Sequence, residues 1–215
     1  MHAGQERPSR ITALVPEPGG PGSVRIEVGG ERFGSVSPDV VRTHGLHVGR
    51  DLDEALRARL EVEADVEAAY RTALRAIERR SFARTDLGRR LLRKGHAPQA
   101  VEAALARAAE QGLLDDAAFA VNYVETRSAR GRGPLRLTRD LMAMGVERGL
   151  VDQAVASHVR ESQNSGDVPL TLASKRAAQL RDLPRHVKRR RVLAYLARRG
   201  YSGRDITELV GRVLG

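Results

Sequence analysis

Arginine is the residue with which this sequence could do most of its chemistry. Of 37 basic residues all but Lys94, Lys175 and Lys188 are arginine, and a guanidinium is a flat fork of donors that pairs two-pronged with phosphate or carboxylate. The basic side chains gather in three places: Arg89, Arg90, Arg93 and Lys94; Arg127, Arg130, Arg132, Arg136 and Arg139; and Lys188 to Arg191 with Arg198 and Arg199. Any one cluster is explained as well by a solvated face, and an arginine bias by genomic base composition. What carries weight is sign and placement. Residues 1–67 hold 8 basic against 12 acidic residues and residues 68–215 hold 29 against 15, so the net charge of +10 comes wholly from the second stretch. Three clusters on stacked units could line up as a stripe for a polyanion or an acidic protein groove.

Other chemistries find little support. No GxxxxGK[ST] loop is present, and Gly131-Arg132-Gly133 reads as a break between helices rather than a phosphate cradle. His44 and His47 lack further metal-ligand types in a known pattern, and His96, His158 and His186 are isolated. Asp115-Asp116 could hold a divalent cation, but helix capping explains the pair more simply. The residues therefore predict a protein that is not an enzyme and needs no cofactor or metal. The arginine-dominated signal has no Asn, Gln and Arg set for reading bases. Of the seven aromatics, Tyr201 is the best placed to stack on a base.

The elements that must position these arginines are legible from three glycines, Gly95, Gly145 and Gly200, spaced 50 and 55 residues apart. Eight residues before each stand Leu87, Leu137 and Val192, and four before stand Leu91, Leu141 and Leu196. Six after stand Val101, Val151 and Ile206, and ten after stand Leu105, Val155 and Val210. A spacing of four puts each pair on one helical face, and the glycine between them closes the first helix in a left-handed conformation. A further helix precedes each pair, on Tyr70, Leu74 and Ile77, on Phe119 with Tyr123 or Val124, and on Leu172, Ala177 and Leu180. Each unit is thus a three-helix module that buries more by packing on its neighbour than alone. Thr85 or Ser81 is the expected cap of the first module's second helix, Pro98 opens its third, and Gly88 is out of place inside a helix, at roughly 1 kcal/mol relative to Ala.

Upstream, Arg10 to Glu17 and Ser23 to Phe33 read as strands around a turn at 18–22, with a third short strand at Phe33 to Val36 after Gly29-Gly30. Ser37-Pro38 opens a short helix, and Asp51 and Asp53 precede an acidic helix on Leu52, Leu56 and Leu60, with Val62 a further candidate. The expected fold is mainly α, a tandem array of three three-helix repeats with a small N-terminal β-hairpin or meander. Its expected segments are 1–66, the β-containing extension and acidic helix; 67–112 and 113–160, the first two repeats; and 161–215, a joint at ESQNSGDVP followed by the third. No run of about 18 apolar residues occurs, the N-terminus lacks a signal-peptide apolar segment and there is no cysteine. These features predict a cytoplasmic protein.

Residues 112–145, GLLDDAAFAVNYVETRSARGRGPLRLTRDLMAMG, resemble the RecX family of regulatory proteins through Leu114-Asp115-Asp116, Phe119-Ala120, Tyr123-Val124, Arg127-Ser128, Gly131-Arg132-Gly133-Pro134 and Leu141. AIERRSFARTDLGRRLLRKGHAPQAVEAAL is similar to the family's first module, LARRGYSGRDI to its third, and the strands to the β-extension of longer members; the resemblance covers residues 68–212. It implies a repeat array lying along the groove of a RecA filament on single-stranded DNA, suppressing RecA's ATPase, strand exchange and co-protease activity, and so a role in DNA repair, recombination and the SOS response. The partners implied are the RecA nucleoprotein filament and single-stranded DNA, with double-stranded DNA left open, and the expected state is a monomer. Arg89, Arg93, Lys94, Arg127, Arg130, Arg132, Arg136, Arg198 and Arg199 are the candidate contacts with RecA or DNA. The alternative is an autonomous DNA-binding protein with helix-turn-helix-like modules.

Overall fold

In the computed structural model, residues 10–18, 22–162 and 168–215 are described. The expected turn at 18–22 and joint at 161–169 fall in large part on residues 19–21 and 163–167, outside those described, as does the start of the chain before Arg10. Three strands, β1 (Ile11–Pro16), β2 (Val24–Val28) and β3 (Glu31–Val36), form an antiparallel sheet in the order β1-β2-β3. Gly29 and Gly30 both take positive φ and make the turn between β2 and β3, so the third strand begins at Glu31, earlier than the apolar pattern indicates. The buried face of Ile11, Ile26, Val28 and Val36 meets Leu46, Leu52, Leu56 and Leu60.

Helix α1 (Pro38–Thr43) is capped by Ser37, whose hydroxyl accepts from Val40 N–H at 3.4 Å. Asp53 caps α2 (Glu54–Ile77) by accepting from Leu56 N–H at 2.7 Å. This second helix is 24 residues long and runs unbroken through residue 66, so the boundary expected at 66/67 falls inside it. Its first half supplies Leu56 and Leu60 to the sheet; its second half buries Tyr70, Ala73 and Ala76 and packs on α4 (Pro98–Glu110). The acidic stretch Glu61 to Glu67 hides that continuity. Glu67 is 2% exposed, accepts from the Ser23 hydroxyl, and pairs with Arg107 at 2.8 Å. Arg107 in turn stacks 3.9 Å from the Tyr70 ring centre. A buried carboxylate held by a cation and a hydroxyl avoids the cost of an unpaired one.

The first module is completed by α3 (Arg84–Arg93); the second is α5 (Asp116–Ser128), α6 (Pro134–Met144) and α7 (Arg148–Ser162); the third is α8 (Val168–Ala178), α9 (Arg185–Arg199) and α10 (Arg204–Val213). In each, the first helix packs on the third: α2 on α4, α5 on α7, α8 on α10. The chain divides into two compact units, one comprising the chain up to Ser81 with Leu87–Leu114, the other Phe82–Asp86 with Asp115–Gly215.

The glycine frame holds. Ten of the twelve apolar positions are buried and the other two, Val155 and Ile206, half-buried. Gly95, Gly145 and Gly200 have φ of 91°, 81° and 96°. Past each, the next backbone N–H turns back to the leucine carbonyl four residues before the glycine: His96 to Leu91 at 3.4 Å, Val146 to Leu141 at 3.2 Å and Tyr201 to Leu196 at 3.0 Å. That reversal satisfies a carbonyl the helix leaves open. Gly88 has a packing reason: it is buried against α4, where a Cβ would come within 3.1 Å of Leu105 Cδ1.

Candidate functional site

In the second unit the closing glycine of one second helix lies on the opening turn of another. The carbonyls of Arg199 and Gly200 accept from the N–H groups of Gly133 (2.7 Å) and Leu135 (3.3 Å), so the C-terminus of α9 fills the open donors at the N-terminus of α6. Likewise Gly145, at the end of α6, meets Thr85, whose hydroxyl donates to the Gly145 carbonyl at 3.2 Å. Thr85 therefore does not cap α3, which begins one residue earlier; the Arg84 N–H is taken by Asp116 Oδ1 at 2.8 Å. Asp115 caps its own helix through the N–H groups of Ala117 and Ala118, both at 2.9 Å. Both carboxylates of the Asp115-Asp116 pair thus act as helix caps.

On this joint the second unit assembles a basic cluster. Arg132 Nη1 is paired with Asp140 and donates to the Tyr123 hydroxyl at 3.0 Å, while Arg136 Nε reaches the other Asp140 oxygen at 3.0 Å. Tyr123 donates to Asp140 at 3.2 Å, and the Arg127 guanidinium stands 5.3 Å from its ring centre. Burial first, and then the negative charge of Asp140, hold the Tyr123 phenol pKa above its ordinary 10.0, so it remains a neutral donor. Arg199 Nη1 donates to the carbonyls of Arg130 (3.3 Å) and Gly131 (3.4 Å) and stacks over Tyr195, 4.9 Å from its centre. Arg130 and Arg198 are exposed.

The candidate residues thus separate by role. Arg127, Arg132 and Arg136 are drawn together around Tyr123 and Asp140, and Arg199 is tied to the turn that carries Arg130. Arg89 and Arg93 are exposed on the part of α3 in the first unit, and Lys94 is exposed in the turn that follows it. Asp140 is the member that sequence reasoning missed; its place four residues after Arg136 was the available signal. Tyr201 is half-buried, its ring packed where a Cβ on Gly133 would stand and its hydroxyl toward the Arg132 carbonyl at 3.5 Å, so it serves the joint and is not presented as a stacking platform. Among the described residues no three His, Asp or Glu side chains gather as a metal set, and no helix is long and apolar enough to cross a membrane.

The class defined by this architecture is a tandem three-helix-repeat protein with an arginine-rich surface and a small N-terminal sheet. The family model described as RecX, second three-helix domain, matches residues 115–155, within α5 to α7. The regulatory protein RecX of Pseudomonas entomophila is 35% identical over 149 residues, covering 68% of this chain and 90% of its own length. That of Halorhodospira halophila is 38% identical over 119 residues, covering 51% and 74%. A crystal structure of regulatory protein RecX superposes with a TM-score of 0.76 over 95% of this chain and 99% of its own at 23% identity. RecX from Lactobacillus salivarius gives 0.60 over 70% and 96% at 20% identity. These structures share the fold. The chain belongs to the RecX family of regulatory proteins.

Proposed function

We propose that this protein is a negative modulator of the RecA recombinase: it binds the groove of the RecA filament on single-stranded DNA and restrains ATP hydrolysis, strand exchange and co-protease activity. It does so in the cytoplasm, as a monomer, without chemistry of its own. The observation that carries the reading, beside family membership, is the cluster of Arg127, Arg130, Arg132, Arg136 and Arg199 on the backbone joint between α6 and α9. Arg127, Arg132, Arg136 and Arg199, held by Tyr123, Asp140 and the turn carbonyls, lose less entropy on pairing with phosphate or carboxylate than free side chains do, and exposed Arg130 stands beside them.

The second reading is autonomous DNA binding, which the charge of residues 68–215 favours by itself. Binding of fluorescently labelled protein to bare single-stranded DNA and to the RecA filament, at one salt concentration, separates the two. The proposal expects the filament to be bound more tightly, and Arg130→Glu with Arg198→Glu, both exposed, to lower filament affinity by about tenfold or more. Equal affinity for bare DNA and filament would favour the autonomous binder.

A further inference from the structure

The outer face of α6 carries a feature that arginine–phosphate pairing leaves unused. Leu137 and Leu141 point to the core, and on a helix of 3.6 residues per turn Leu135, Arg139 and Met142 fall together on the opposite side. Leu135 is 55% and Met142 43% exposed, with exposed Arg139 between them. Single exposed apolar residues are ordinary. Here, however, the Arg139 and Met142 pair recurs in the first module, although the counterpart of Leu135 there is Thr85. Six and three residues before Gly145 stand Arg139 and Met142; six and three before Gly95 stand Arg89 and Leu92, also exposed, Leu92 at 46%. In the third module the corresponding residues are Ala194 and Ala197, likewise exposed, so the position itself does not demand a large apolar side chain.

We infer that the outward Arg-x-x-Leu/Met faces of α3 and α6 are docking surfaces for an acidic protein surface with apolar side chains among its carboxylates, and not for nucleic acid. Phosphate and sugar offer nothing that rewards the burial of leucine and methionine, and among the described residues no aromatic ring is exposed to stack on a base beside them, whereas a protein surface rewards that burial directly. The flanking charge selects a partner of negative sign: Arg139 lies within the stripe, and Leu135 is bonded through its N–H to the Gly200 carbonyl, which brings α9's closing Arg198-Arg199 to the same end. Methionine adapts its shape to the surface it meets. A pair repeated at the same register of two modules suits a partner whose surface also repeats. The inference rests on the RecA-filament reading and deepens it, assigning these faces to protein contact and leaving the Arg127–Arg136 cluster to the anion.

The test compares wild type, Leu135→Ser with Met142→Ser, and Leu92→Ser by anisotropy of labelled protein on the RecA–single-stranded-DNA filament and on bare single-stranded DNA at the same salt, with thermal melting to check folding. All three residues are exposed, so melting temperatures should stay within a few degrees. The double variant should lose tenfold or more in filament affinity and Leu92→Ser three- to tenfold, with bare-DNA affinity changed less than twofold. Parallel loss on bare DNA and filament would make the faces nucleic-acid surfaces and overturn the inference; so would a double variant that binds the filament like wild type. A wild type that binds the filament no better than bare DNA would remove the RecA reading itself, and the inference with it.

Discussion

Glu17 follows β1 with a side chain 7% exposed, accepting the Ser35 hydroxyl at 2.7 Å and Arg32 at 3.2 Å, with Arg71 of α2 at 3.8 Å. The Ser35 hydrogen bond lowers its pKa below the ordinary 4.5; burial opposes this, and the charges of Arg32, Arg71 and Arg25 reinforce it. A depressed folded pKa means that the unfolded chain binds the proton first. The contribution is therefore present above about pH 4.5 and is lost as pH falls through the folded value. Glu17→Gln should lower stability at pH 7 by about 2 kcal/mol, and denaturant melts of both forms should converge as pH drops below about 4.5. A difference unchanged from pH 7 to pH 3 would show that the carboxylate's charge plays no part. None of these partners was readable from the sequence, since Ser35 and Arg71 lie far along the chain. Glu67 and Arg107 escaped for the same reason, whereas the Arg136–Asp140 pair lay four residues apart and could have been found.

At the scale of elements, the helix-closing glycines were the most legible feature, because a period of four around a residue without a Cβ is a local signal. Their second role was not legible, since it depends on where distant turns meet. Gly95 has open space where a Cβ would stand. At Gly145 a Cβ would lie 2.6 Å from Thr85 Cβ, and at Gly200 2.6 Å from Arg136 Cβ and 2.9 Å from the Gly133 carbonyl oxygen. Gly95→Ala should therefore cost only the left-handed backbone term, about 1 to 2 kcal/mol. Gly145→Ala and Gly200→Ala should cost about 3 kcal/mol or more, since a neighbouring chain must move as well. Urea unfolding of the three variants measures this directly, and equal costs would mean that the joints are looser than their distances state. The single helix α2 was the element hardest to read: four acidic residues interrupt its apolar pattern, and the burial of one is made possible by Ser23, just before β2, and an arginine of α4.

For the whole molecule, charge divides the chain in two. The net −4 of residues 1–67 includes the buried carboxylates Glu17 and Glu67, which pair with Arg32 and with Arg71 and Arg107 of the basic stretch, while the net +14 of residues 68–215 accompanies the repeats. The repeat class, the family and the location of the basic excess were all legible, because each is a sum over many residues. Which arginines are held and which stand exposed was not, because that depends on Asp140, Tyr123 and the joint with α9. Action on the assembled filament is decided by the single-stranded-DNA-dependent ATPase of RecA from the same source, with this protein titrated well below the RecA concentration and its binding to bare DNA followed at the same salt. A filament modulator inhibits at substoichiometric protein while bare DNA is scarcely bound. Inhibition that sets in only once the protein has coated the DNA would instead mark an autonomous DNA binder.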